Sequence, residues 1–119
     1  MATISGIRTP TQGRTIHVIW ETLTENDEVG DAISMPNTSN ISVHVLGIVA
    51  GGTVLIEGSN VLSPSLDSDW FTLHDENGDF LSFTIVGIGH TVSENVLNIR
   101  PRLIGGSDTD IDVIMLFTF

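Results

Sequence analysis

Apolar residues recur at every second position along most of the chain. Residues 15–20 set Ile16, Val18 and Trp20 on one side, and 41–49 alternate Ile41, Val43 and Val45 against Ser42, His44 and Leu46. The same period continues through 54–57, 70–74, 80–86, 97–103 (Leu97, Ile99, Leu103) and 111–117 (Ile111, Val113, Met115, Phe117). β-Branched and aromatic residues two apart fit a pleated, half-buried surface, so seven short strands are predicted. No window of ten or more residues carries a helical period. The pattern predicts an all-β fold, a single antiparallel β-sandwich of jelly-roll type spanning 15–119.

Turn residues separate the strands. Ala50-Gly51-Gly52 reads as a tight hairpin, Asn77-Gly78 within Asp75–Asp79 as a second, and Gly105-Gly106 as the turn before the last strand. Two longer connections, 21–40 and 58–69, are predicted as loops. Pro101 lacks a backbone donor, which predicts an edge position for its strand. Both tryptophans, Trp20 and Trp70, fall on apolar strand faces and are expected in the core.

Charge changes the picture at the N-terminus. The 119 residues hold 15 acids against four arginines, with no lysine and no cysteine, and the net charge is −11. Residues 1–14 contain Arg8 and Arg14 but no acid, whereas 15–119 carry every acid and the other two arginines. This polar, basic lead reads as an extended arm, either a frayed terminus with two solvated arginines or a segment that orders on a partner or on a sister copy. So acidic a body disfavours binding to nucleic-acid phosphates, and no apolar run approaches the roughly 20 residues of a membrane-spanning helix. Without cysteine there is no disulfide, thiolate metal site or cysteine nucleophile.

Candidate chemistry is sparse. His17, His44, His74 and His90 show no H-x-H or H-x-x-x-H spacing, so no preformed metal site and no cofactor are expected, although convergence in space stays open. The segment Asp75–Asp79 begins like a calcium loop, but its glycine falls at the fourth position and the closing glutamate is missing, which favours the hairpin. Asp108, Asp110 and Asp112 could meet Asp67 or Asp69 around calcium. The acids Glu21, Glu25, Asp27, Glu28 and Asp31 read as a solvated loop. No nucleophile elbow or phosphate-cradling loop is present, and the expectation is a non-enzymatic protein. Arg100 and Arg102 project from one face on either side of Pro101 and need acidic partners, within the chain or on a neighbour. The alternating but apolar end, Met115–Phe119, predicts that Phe119 packs in the core or at a subunit interface.

The stretches 51–60 (GGTVLIEGSN), 69–79 (DWFTLHDENGD) and 93–106 (SENVLNIRPRLIGG) resemble a group of small tailed-phage capsid decoration, or cement, proteins. The resemblance covers roughly residues 41–119. It implies a β-sandwich on the outer surface of the virion, a trimer that binds the major capsid protein and stabilises the shell. Arg8, Arg14, Arg100, Arg102 and Phe119 are then the candidate partner-binding residues. The chain departs from the group at 59–69, where a longer loop replaces a short turn. The same residues are more faintly similar to discoidin-type and carbohydrate-binding jelly rolls, which implies the alternative of a glycan- or receptor-binding module of a phage tail or cell surface.

Overall fold

Alternation of buried and exposed side chains runs through the long strands, and it builds two packed sheets. The computed structural model describes residues 3–11, 13–24, 28–34 and 38–119. Its strands are β1 (Thr3–Ile4), β2 (Gly6–Pro10), β3 (Thr15–Leu23), β4 (Glu28–Gly30), β5 (Ile33–Ser34) and β6 (Asn40–Ile48). They continue with β7 (Gly52–Ser59), β8 (Phe71–Thr72), β9 (Ser82–Phe83), β10 (Gly89–Thr91), β11 (Asn98–Gly105) and β12 (Asp110–Thr118). One sheet has seven strands, ordered β1-β4-β11-β7-β8, with β5 also on β11 and β9 also on β7. The other has five, ordered β10-β6-β12-β3-β2. Pairing is antiparallel apart from the short β1–β4 contact. The fold is an all-β sandwich.

Its spine is a bent two-stranded ribbon. β6 pairs with β12 from Asn40↔Thr118 to Ile48↔Asp110 in the five-stranded sheet. The same two chain segments then turn a corner, and β7 pairs with β11 from Gly52↔Gly105 to Ser59↔Asn98 in the seven-stranded sheet. At the corner the two turns lie against each other, with the Ser107 amide donating to the Ala50 carbonyl at 3.2 Å. Gly106 has φ +80°, and a Cβ there would lie 2.7 Å from the Gly52 nitrogen, so only glycine fits. Ala50–Gly52 is therefore not a hairpin within one sheet. It carries the chain across the sandwich.

The core fills the space between the sheets with Val18, Trp20, Val43, Val45, Val113, Met115 and Phe117 facing Val54, Ile56, Leu73, Leu81, Ile99 and Leu103, all buried. A bulge keeps this register: Glu21 and Thr22 together oppose Asp112, and Leu23 returns to the inside. The Thr22 amide, at positive φ, donates to Asp112 Oδ1 at 2.9 Å.

Several expectations change. Residues 3–10 of the predicted arm are extended but paired, through β1 on β4 and β2 on β3. The attachment is specific: Asp31 Oδ1 accepts from the Gly6 amide at 2.6 Å and from Trp20 Nε1 at 2.9 Å. The indole sits against Gly6 and Gly30, and a Cβ on Gly30 would lie 2.5 Å from Trp20 Cδ1 and 2.7 Å from Pro101 Cδ. The 21–40 connection is not one long loop, because β4 and β5 lie within it. Two of its acids are structural: Asp31, and buried Glu28, whose carboxylate accepts from the Thr24 amide at 2.8 Å. Glu25 and Asp27 lie outside the described residues. Finally, β11 is an inner strand. Pro101 is tolerated because the register on that side slips by one residue between β5 and β4, and the proline falls in the break.

Candidate functional site

The outer faces of the two sheets hold most of the chain's unusual chemistry, and they differ. On the seven-stranded sheet Arg100 lies in register with Glu57, so alternation sends Arg100, Arg102 and Glu57 to the same outer face. Arg100 Nε donates to Glu57 Oε1 at 2.9 Å, and Arg102 Nη1 lies 3.8 Å from Glu57 Oε2. Asp67 completes the group, its two oxygens each 3.6 Å from one guanidinium. Two cations thus face two anions. The Arg100 and Glu57 side chains retain 11% and 9% of their exposure although they lie on the outside of a sheet.

The 60–70 connection provides that cover. Asn98 Nδ2 donates to the Val61 carbonyl at 2.9 Å, and the Leu97 amide donates to Asn60 Oδ1 at 3.2 Å. A single turn of 3₁₀ helix at Asp67–Asp69 leads into Trp70, whose ring stacks over Arg100 with Cζ 4.1 Å from the ring centroid. Trp70 is therefore half-buried outside the core, contrary to the expectation, whereas Trp20 is a core residue. Asp69 fastens the turn by accepting from the Ser65 and Leu66 amides, both at 3.0 Å. These two bonds hold its carboxyl below the usual aspartate range. Arg100 Nη2 remains buried without a hydrogen-bond partner.

The five-stranded sheet has no such cover from the described residues. Its outward positions form a row across the strands, Ile7–Ile19–Ile114–His44, with Leu116 beside it between His17 and Ser42. Ile7 is 52% exposed, and Leu116 and Leu46 are also exposed. Two isoleucines half covered by their neighbours and two half-buried histidines make this row apolar, and Asp112 follows it along β12 on the same side.

Histidines outside that face have acidic partners. His74 Nδ1 lies 2.6 Å from Glu94 Oε2, and the His74 amide donates to Glu94 Oε1 at 2.7 Å. Burial opposes ionisation of Glu94, but the hydrogen bonds from the His74 ring, the His74 amide and Ser93 outweigh it and lower its pKa. Around the Asn77-Gly78 turn, which is the expected hairpin, Asp75, Glu76 and His90 bring one ligand atom each to within 4.8 Å of one another. The Thr91 amide is the main cause, ahead of Glu76's own amide and the His90 ring, of a lowered Glu76 pKa. Sequence spacing could not reveal this group, because His90 arrives from another sheet. Among the described residues, Asp108, Asp110 and Asp112 do not gather with Asp67 or Asp69.

Of the candidate partner-binding residues, Arg100 and Arg102 have the intramolecular partners just described. Arg8 is exposed on edge strand β2, and Arg14 is exposed in the β2–β3 turn. The Arg14 carbonyl accepts from the Phe119 amide at 2.8 Å, and the Phe119 ring packs half-buried against the core. No cavity opens among the described residues.

No protein-family model and no curated protein sequence matches the chain. Solved structures do match in shape. The SPBc2 prophage-derived protein YomS is similar with a TM-score of 0.59 at 8% identity, over 93% of this chain and 100% of that one. The K2 cleaved adhesin domain of Lys-gingipain is similar with a TM-score of 0.50 at 11% identity, over 98% of this chain and 83% of that one. A cupin domain from Bordetella pertussis reaches 0.49 at 14% identity, over 100% of this chain and 98% of that one. At such identities the likeness establishes a β-sandwich fold and nothing finer.

Proposed function

We propose that the chain is a non-enzymatic structural protein of a phage particle, a decoration protein that binds the major capsid protein on the outer shell as a trimer. The observation that carries this reading is the row Ile7–Ile19–Ile114 on the outer face of the five-stranded sheet, which no other described residues cover. A solvated sheet face normally alternates to polar residues, and a contiguous apolar face marks an interaction surface. In a chain of net charge −11, a row of isoleucines with no charge of its own lowers the electrostatic cost of a second protein's approach. Exposed Arg8 and Arg14 lie on the same edge and offer cations to an acidic neighbour. Support also comes from the resemblance of 51–60, 69–79 and 93–106 to decoration proteins, and from the prophage origin of one protein of similar shape. The physics of the role is mass action: a module that binds only the assembled lattice lowers the free energy of that state alone.

The test is quantitative mass spectrometry of purified particles from the source that encodes the chain, counting copies against the major shell protein. A fixed simple ratio is the expected result. A handful of copies per particle would favour the glycan- or receptor-binding alternative on a tail, and absence from particles overturns both.

A further inference from the structure

We infer that Asp75, Glu76 and His90 form a binding site for a first-row divalent transition-metal ion that links the two sheets at their open edge. The residues come from different parts of the fold. Asp75 and Glu76 belong to the turn hanging between β8 and β9 of the seven-stranded sheet, and His90 lies on β10, the edge of the five-stranded sheet. Each carboxylate has one oxygen held by backbone donors and the other turned towards the histidine. Asp75 Oδ1 accepts from the Asn77 amide at 2.8 Å and the Asp79 amide at 3.1 Å, while Oδ2 lies 3.7 Å from His90 Nδ1. Glu76 Oε2 accepts from the Thr91 amide at 2.9 Å, while Oε1 lies 3.3 Å from the same Nδ1.

Hydrogen bonding alone leaves this group incomplete. One imidazole nitrogen faces two carboxylate oxygens, and at 3.7 Å it makes no hydrogen bond to Asp75 Oδ2. That oxygen has no other donor among the described residues, although the Asp75 side chain keeps only 7% of its exposure. An anionic oxygen that is aimed at the histidine and has no donor of its own can accept a cation. Ligands held about 2.1 Å from a tetrahedral ion lie roughly 3.4 Å apart, close to the 3.3 and 3.7 Å found here. The backbone donors behind each carboxylate are the kind of outer support that orients metal ligands. Glu76 at 47% and His90 at 26% side-chain exposure leave an entry path.

The donor set selects the ion. Calcium takes six to eight oxygens, whereas an imidazole with two carboxylates suits zinc, cobalt, manganese or iron, with an open position left to water. A bound ion would couple β10 to the 75–79 turn, so stability would rise with metal concentration.

The experiment uses the whole chain, stripped with chelator and titrated with zinc by calorimetry and with cobalt by visible absorption. Histidine side-chain NMR runs in parallel. The expected result is one ion per chain, a shifted His90 Nδ1 resonance and a higher unfolding temperature that chelator reverses. His90→Ala and Glu76→Gln should each weaken binding by at least the roughly 10- to 100-fold typical of losing a supporting partner. Glu76→Gln is exposed and keeps an acceptor for the Thr91 amide, so it tests the site even where His90→Ala unfolds. His17→Ala should bind as the parent does. Absence of binding at millimolar zinc overturns the inference, as does binding that survives Glu76→Gln or that moves the His17 or His44 resonances instead.

Discussion

The two outer faces of the sandwich solve the same problem in opposite ways. Each belongs to a sheet whose inner side is buried in one core, so each has one side left over. On the seven-stranded sheet that side carries Arg100, Arg102 and Glu57, and the 60–70 connection closes over them with Asp67 and Trp70. On the five-stranded sheet it carries Ile7, Ile19, Ile114 and Leu116 with no cover from the described residues. The charged face is thus shut within the chain and the apolar face is open. Placement, more than polarity, decides which surface is available to a partner: arginines that invite an acidic ligand in sequence are already occupied in the fold.

The comparison breaks most sharply at Glu57. Glu57→Ala should leave Arg100 buried without its 2.9 Å acceptor and cost about 3–5 kcal/mol in denaturant unfolding. Replacing the pair together, by Glu57→Leu with Arg100→Met, should recover much of that loss, since a packed apolar pair of similar volume is often as stable as a buried ion pair. A double variant as unstable as the single one would mean that the pair is needed for packing of the loop. Trp70→Ala comes next. Loss of the stacked ring should cost about 1–2 kcal/mol and raise amide exchange in 60–70 while β6 and β12 stay protected. On the open face, Ile7→Ser should change stability by no more than about 0.5–1 kcal/mol. The same substitution should weaken attachment to shells in a co-sedimentation assay, and undiminished attachment would remove the open face from the contact.

Acid should weaken the fold through carboxylates that accept hydrogen bonds in the native state. The carboxyls of Asp69 and Glu94 titrate below their usual range in the folded protein, so the unfolded chain takes up protons first as pH falls. Stability is then greatest above the ordinary carboxylate range and declines as pH drops through it towards the lower folded values. Urea midpoints of Asp69→Asn and Glu94→Gln should lie below the parent's at neutral pH and converge with it in acid. A gap that persists in acid would mean that the carboxylates act through shape and not through charge.

Much of the frame was legible in the sequence because a period of two is a direct trace of a sheet with one buried side. The long strands β3, β6, β7, β11 and β12 all fall on predicted segments. What escaped was everything set by partners distant in sequence. Ala50–Gly52 carries the signature of a hairpin, and nothing local says that its two strands join different sheets. Pro101 suggests an edge unless the one-residue slip between β4 and β5 is known. Trp70 has the company of a core residue, and only the fold of 60–69 turns it outward onto Arg100. His90 is separated from Asp75 by a hairpin and a change of sheet, so no ligand spacing could expose their meeting. Glu57 was the readable clue: an acid within a run of apolar strand residues, which needs a cation beside it, and Arg100 lies opposite it in register.

The bent ribbon also sets the order of assembly. The strand β12 lies between β6 and β3 at the centre of the five-stranded sheet, yet it occupies positions 110–118. Neither of its neighbours can acquire its main hydrogen-bonded edge until those residues have left the ribosome. Contacts so remote along the chain also make for slow folding. Until that last strand arrives, β3 and β6 present unpaired edges to other nascent chains, and the cell must keep them apart.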